Sequence, residues 1–283
     1  MFDRLSRSWT LVKASASVLR QDQQLLLFPL MSFGALVLVV VAFAIPAFAF
    51  GLLEGVSKGR ELSGAAYAVA FLFYFVQYFV IFFFNAGLVG AAMMRLDGGN
   101  PTFADGMRIA TSRIGVIAGY AAIAATVGVV LRAIQERVGF IGRIIVGLLG
   151  IGWTIATYLV VPVLVANDVG PIDAVKQSAA LLKKTWGENV IGQVGIAAAF
   201  GFIFFGVIVA GVVLFLAALF TQSIAAIVAA LLVAVLAIAL TALVQSALAG
   251  IYEAALYRYA TTGESTLGFD KDTLQLAFRP KKK

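Results

Sequence analysis

The sequence has 283 residues, of which 62% are hydrophobic and only 12% are charged, and its mean hydropathy is +1.01. Soluble domains contain roughly 45–50% apolar residues, so this composition predicts an integral membrane protein. The chain has no cysteine and no histidine, which excludes disulfides, thiolate nucleophiles, metal sites built on these residues and Ser–His catalysis. We therefore expect no enzymatic activity, no cofactor and no metal. The net charge of +7 points to anionic lipid headgroups rather than nucleic acid, because the basic residues form no continuous patch or known reader motif.

Six apolar stretches are long enough, or nearly so, to cross a membrane. A helix rises ~1.5 Å per residue, so crossing ~30 Å of hydrocarbon takes about 20 apolar residues. The last two stretches run together almost without interruption, and the polar triplet Thr221-Gln222-Ser223 is the only place where the chain can reverse. The predicted spans are Leu25 to Leu53, Tyr67 to Leu96, Ile114 to Leu131, Phe140 to Ala166, Val190 to Phe220 and Ile224 to Tyr259.

The distribution of basic residues predicts the orientation. With six spans, both termini lie on one side, and most of the 21 Lys and Arg residues fall in segments on that side. By the positive-inside rule, the N- and C-termini are cytoplasmic. The opposite side holds only Lys58, Arg60, Arg132, Arg137 and Arg143.

An amphipathic segment precedes each pair of spans. In the first, Leu5, Trp9, Val12, Ala16 and Leu19 recur at helical spacing, and in the third Ile172, Val175, Ala179, Leu182 and Trp186 do the same. "VKASASVLR" (12–20) matches "VKQSAALLK" (175–183) almost in register. The middle copy starts at "NPTFADGMRIATSRIG", where Thr102 and Asp105 have the spacing of a capping box.

These patterns predict an all-α, polytopic membrane bundle: six transmembrane helices in three hairpins, each preceded by a cytoplasmic amphipathic interfacial helix. We expect one transmembrane domain over 1–265, with repeats at 1–96, 97–167 and 168–260, and a cytoplasmic basic tail over 266–283. Hairpins that all begin on one side form parallel repeats. The alternative is that three amphipathic segments look alike only because they obey the same physics.

Three long stretches carry a family resemblance: "RLSRSWTLVKASASVLRQDQQLLLFPL", "AGLVGAAMMRLDGGNPTFADGMRIA" and "IGWTIATYLVVPVLVANDVGPIDAVKQSAALLKKTWGE". The chain resembles a family of prokaryotic multi-span membrane proteins catalogued as a domain of unknown function. More distantly, it is similar to the membrane domain attached to some glycerophosphoryl diester phosphodiesterases, although no phosphodiesterase catalytic domain is present. The resemblance implies a cytoplasmic-membrane protein and no activity.

The candidate functional residues fall into two sets. The first comprises basic residues on the amphipathic segments that are placed to contact lipid headgroups: Arg4, Lys13, Arg20, Arg108, Arg113, Lys176, Lys183 and Lys184. The second comprises polar residues inside the spans, which are costly in lipid and so are functional suspects: Gln77, Asn85, Gln193, Gln245 and Glu253. For Glu253 the structural alternative is an ion pair with Arg258, and for the amides it is hydrogen bonding between helices.

Three functions fit these residues. The first is a non-enzymatic protein that binds membrane lipids and organises the membrane or the assembly of other proteins, alone or as a homo-oligomer. The second is a transporter or channel for ions or small solutes, with Glu253 near the path; few polar groups at mid-depth speak against it. The third is a lipid-modifying enzyme, for which the sequence offers no nucleophile or base. We expect the first.

Overall fold

The computed structural model describes residues 2–49, 64–186, 191–263 and Phe269, without the side chains of 2–8, 49, 64–67, 184–186 and 191–199. Most of these residues are helical. In chain order the helices are α1 (Phe2–Gln21), a 3₁₀ turn (Gln23–Leu26), α2 (Leu27–Ala49), α3 (Gly64–Leu96), α4 (Phe103–Ser112), α5 (Ile114–Arg137), α6 (Phe140–Ala156), α7 (Val160–Ala166), α8 (Pro171–Trp186), α9 (Ile191–Phe220) and α10 (Ile224–Thr262).

Six helical segments among the described residues are long and apolar enough to cross a membrane, so the chain is a multi-pass membrane protein. They coincide with the six predicted stretches except in detail. The third span continues past its predicted end at Leu131 to Arg137, because Arg132 is held by Glu136 one turn later and by the hydroxyl of Tyr74. The fourth, predicted as one helix, is two helices separated at residues 157–159.

The helix ends follow local chemistry. The Thr102 hydroxyl accepts from the Asp105 amide while the Asp105 carboxylate accepts from the Thr102 amide, so the predicted capping box is confirmed. The predicted break between the last two spans is also confirmed, with Gln222 in the left-handed region (φ 53°) and Ser223 capping α10. At the other end of α10, Gly263 takes a left-handed conformation (φ 71°), which glycine adopts without steric cost.

The chain divides into two compact units. The first comprises Met1–Leu26, Ala92–Asn100 and Thr185–Lys283. In this unit α1 packs against both α9 and α10, and α9 packs along α10. A Cβ at Gly211 would lie 3.1 Å from the Cβ of Ala234. These two positions are at similar distances from the 221–223 turn, so α9 and α10 run antiparallel.

The second unit comprises Leu27–Ala91 and Pro101–Lys184. Here α5 contacts α6 and α7, and α4 lies against the part of α3 that carries Gly87. The Phe28 ring fills the space between them, with its centroid 4.8 Å from that of Phe103. Phe82 of α3 meets Tyr120 of α5 at a centroid distance of 4.5 Å. Aromatic packing therefore joins α2, α3, α4 and α5.

Burial changes along the even-numbered spans. The first part of each is exposed and apolar, as lipid contact requires, whereas the last part is buried in protein. The fourth span shows the change most clearly, because α6 exposes Phe140 (78%) and Leu148 (62%) while Leu159 and Val163 of the following segment are fully buried. The buried segments are 86–93, 159–164 and 247–257.

Candidate functional site

Helix α8 turns one face toward the protein. Ala174, Ser178 and Leu182, spaced four residues apart, are buried. Of the predicted apolar stripe, Leu182 is buried, Val175 and Ala179 are half-buried and Ile172 is 61% exposed, while Trp186 lies outside the described side chains. The predicted stripe therefore borders the buried face of α8.

Helix α1 has the same arrangement. Leu11, Ser15 and Val18 are buried; of the predicted apolar stripe, Val12 and Leu19 are buried and Trp9 is 46% exposed. Ser15 and Ser178 occupy the same position in the matched segments 12–20 and 175–183, and both are fully buried.

Most of the candidate basic residues that can be assessed point outward. Lys13, Arg20 and Lys183 are exposed. Arg108 and Lys176 have side chains 78% and 72% exposed, and each also contacts an aspartate of its own helix, at 3.2 Å and 3.0 Å. Arg4 and Lys184 lie outside the described side chains.

Arg113 differs from these residues. Its side chain is only 25% exposed, and its Nη1 lies 2.6 Å from the carboxylate of Asp168 in the turn before α8. The arginine therefore ties the start of α5 to that turn.

The cap of α4 carries an electrostatic signature. Hydrogen bonds from the Thr102 hydroxyl and amide, helped by nearby Arg108, hold the pKa of Asp105 below its usual value of 3.8. The carboxylate therefore stays ionised where it accepts from the Thr102 amide, and the Thr102 hydroxyl accepts from the Asp105 amide.

A polar cluster in the first unit escaped the sequence reasoning. Arg95, at the end of α3, donates to the carbonyl of Gly99, to Asn100 and to Gln21. Arg258 of α10 pairs with Asp97. No local motif marks these contacts, since Arg258 and Asp97 are separated by 161 positions.

The polar candidates inside the spans are distributed over both units. Gln77 and Asn85 of α3 are half-buried, as is Gln245 of α10. Glu253 is buried, with 8% exposure, and lies beside the fully buried Tyr252. Gln193 lies outside the described side chains, as does most of the predicted tail.

The fourth span contains a second feature that the sequence reasoning missed. Ser178 of α8 reaches the break between α6 and α7, where its hydroxyl accepts from the Leu159 amide (3.0 Å) and donates to the Ala156 carbonyl (2.7 Å). Pro162 was the available signal. It has no N–H to donate to the carbonyl of Tyr158, and proline is tolerated only in the first turn of a helix.

Within the described ranges, no group of three or more acidic side chains could hold a metal ion. What the described residues offer is thus a set of outward-facing basic residues on three helices, together with the buried carboxylates of Asp22 and Glu253.

A search of curated proteins finds no match to the chain. The sequence profile of a family of unknown function (DUF6159) matches residues 64–268. The chain belongs to this family. The match starts at the second span and ends just beyond α10, so the DUF6159 region includes α4, α8 and the polar cluster around Asp97. The predicted membership of an uncharacterised family is confirmed; the similarity to the membrane domain of phosphodiesterases stays a prediction.

Proposed function

We propose that this DUF6159 protein is a non-enzymatic protein of the prokaryotic cytoplasmic membrane that binds anionic lipid headgroups through α1, α4 and α8. In this role it organises the membrane or the assembly of other membrane proteins. One observation carries the proposal: Lys13, Arg20, Arg108, Lys176 and Lys183 lie on the sides of α1, α4 and α8 that point away from the buried faces of these helices.

The arrangement is clearest on α8. With about 3.6 residues per turn, Ile172, Val175 and Ala179 form the strip next to the buried face. Ile172 is exposed and the other two are half-buried. Lys176 and Lys183 form the next strip, and both are exposed. An apolar strip bordered by lysines suits a helix that lies at the lipid boundary, with its ammonium groups at the headgroups.

Helix α1 repeats this order, since the exposed Trp9 and the half-buried Ala16 follow the buried face, and Lys13 and Arg20 come next. On α4 Arg108 is exposed on the side opposite the buried Gly106 and Ala110. Each Lys or Arg near an anionic leaflet contributes ~1 kcal/mol, so the strips together favour a phosphatidylglycerol-rich surface.

The same proposal includes the membrane topology. We place the six spans as three hairpins, each introduced by one of these helices, with both termini in the cytoplasm. Support comes from the basic strips and from the buried last parts of the even-numbered spans. Because the chain has no cysteine, single cysteines introduced for Lys58 and Ala180 are the only thiols present. Membrane-impermeant reagents should label them from opposite sides of the bilayer, and labelling from one side contradicts the topology.

The headgroup contact is tested with the full chain in mixed micelles by native mass spectrometry. We expect K176Q/K183Q to weaken retention of phosphatidylglycerol, relative to phosphatidylcholine, by about 30-fold, because two contacts worth ~1 kcal/mol each are lost. The matched control is R137Q/R143Q, which removes two exposed charges from the predicted outer side. Equal retention by both variants and wild type overturns the proposal.

Transport of an ion or small solute is the second candidate, and the burial of Glu253 in α10 favours it. Buried ionisable residues in spans often mark ion pathways. In proteoliposomes, this function requires a flux that E253Q abolishes and E136Q retains, since Glu136 is 65% exposed. We expect no such flux, because few polar groups lie at mid-depth.

A further inference from the structure

The fourth span is interrupted where a continuous helix would be the simplest way to cross lipid. In an unbroken helix the Leu159 amide would donate to Ile155, and the Ala156 carbonyl would accept from Val160. Instead the Tyr158 amide donates to the Ile155 carbonyl, and the Val160 amide donates to that of Thr157. The Leu159 amide and the Ala156 carbonyl are thus among the groups that lose their helical partners at the break.

A single hydroxyl from another helix replaces both partners. Ser178 accepts from the Leu159 amide and donates to the Ala156 carbonyl, and its side chain is fully buried. Unpaired backbone groups away from water cost about 1–3 kcal/mol each. The broken conformation is thus stable only while α8 keeps Ser178 in place.

The two sides of the break differ in their surroundings. Helix α6 is exposed along most of its length, whereas α7 is buried. Ser178 belongs to the buried face of α8, and Lys176 and Lys183 stand on its exposed strip. Helix α8 therefore carries both the outward-facing lysines and the hydroxyl that bonds to the break in the fourth span.

We propose that residues 157–159 are a hinge in the fourth span, that Ser178 is its latch, and that binding of α8 to anionic lipid holds the latch closed. The coupling rests on the proposed headgroup contact of α8, whereas the latch itself rests only on the two hydrogen bonds. In this proposal Lys176 and Lys183 bind the anionic headgroups, so the lipid composition changes how often the helix break opens.

The test is hydrogen–deuterium exchange of the full chain in nanodiscs, read in peptides that cover residues 157–160. In phosphatidylglycerol, S178A should exchange about tenfold faster at the break than wild type, because the Leu159 amide loses its acceptor. The matched control is S15A, which removes a hydroxyl from the same register of α1, where it has no hydrogen-bond partner. S15A should leave the break unchanged.

Should S178A fail to fold, S178C supplies the readout, since a thiol fills the same space but is only a weak donor and acceptor. It should exchange faster than wild type. Wild-type exchange rates in whichever of S178A or S178C folds overturn the latch.

The coupling is read from the difference between two lipids. Wild type should exchange several-fold more slowly at the break in phosphatidylglycerol than in phosphatidylcholine, and K176Q/K183Q and S178A should each lose this difference. S178A should still retain phosphatidylglycerol in native mass spectrometry.

No lipid dependence in wild type, or a dependence that survives in S178A, overturns the coupling. Unchanged phosphatidylglycerol retention in K176Q/K183Q instead overturns the proposed function and leaves the S178A result as the test of the latch alone.

Discussion

The approach of α4 to α3 at two glycines gives the sharpest prediction of stability. A Cβ added at Gly106 would lie 2.3 Å from Cζ of Phe28 and 2.6 Å from the carbonyl oxygen of Gly87. Phe28 is 1% exposed and packs against Phe103, so its ring has no free space to enter. The Gly87 carbonyl is backbone within α3 and cannot move without distorting that helix. G106A must therefore push the two helices apart.

The magnitude follows from two opposing terms. Overpacking typically costs about 1–3 kcal/mol, and contacts this short place G106A near ~3 kcal/mol. Replacing glycine by alanine in a helix gains up to ~1 kcal/mol. We expect a net loss of about 2 kcal/mol in the free energy of unfolding, measured by equilibrium denaturation in mixed micelles with tryptophan fluorescence. The control is G115A, where nothing lies within 4 Å of the new Cβ, and it should be neutral or stabilising.

A double-mutant cycle separates the clash with the Phe28 ring from the clash with the backbone carbonyl of the opposing glycine. At Gly87 the new Cβ would meet mainly the Phe28 ring, at 2.7 Å, while the Gly106 carbonyl oxygen is 3.3 Å away. The change F28L should therefore recover much of the loss in G87A, with a coupling of at least ~1 kcal/mol, but less in G106A, where the Gly87 carbonyl stays in place. A G106A protein as stable as G115A, or equal rescue of both alanines by F28L, refutes the close approach.

Two further predictions concern charged groups. Asp105 has a lower pKa in the folded protein than its unfolded value of 3.8, so its contribution to folding stability is fully present above 3.8 and is lost as pH falls through the folded pKa. Protection of the first turn of α4 from hydrogen exchange should drop in this pH window in wild type. D105N should abolish this pH dependence. D97N removes the carboxylate that pairs with the half-buried Arg258 and should lower the free energy of unfolding by about 1 kcal/mol. The control D173N removes a carboxylate from a pair whose side chains are 72% and 62% exposed, so it should cost less than ~0.5 kcal/mol. Equal losses in the two variants contradict the structural role of Asp97.

Sequence reasoning located the spans because crossing hydrocarbon imposes a length and a composition that nothing else in the chain satisfies. It also located the cap at Thr102 and the turn before α10, since both depend on residues close in sequence. It did not find the ion pair between Asp97 and Arg258, which depends on the fold bringing distant segments together.

Sequence reasoning missed the break in the fourth span for a different reason. Its flanking helices are both apolar, so hydropathy is continuous across residues 157–159. The break depends instead on which backbone groups find hydrogen-bond partners outside their own helix. Ser178, which is such a partner, lies on another helix. Pro162 and the serine shared by segments 12–20 and 175–183 were visible, but neither alone specifies a hydrogen bond.

Helix lengths show why apolar sequence and lipid contact are separate properties in this chain. With 39 residues, α10 is ~58 Å long, almost twice the ~30 Å of hydrocarbon. Its residues from 247 to 257 are buried in protein, so the excess length continues as a protein-covered segment. In the fourth span the exposed α6, of 17 residues, is ~25 Å long and nearly crosses by itself. The buried ends of the even-numbered spans are thus covered by protein although they continue apolar helices, so an apolar helical sequence marks lipid contact only where the side chains are also exposed.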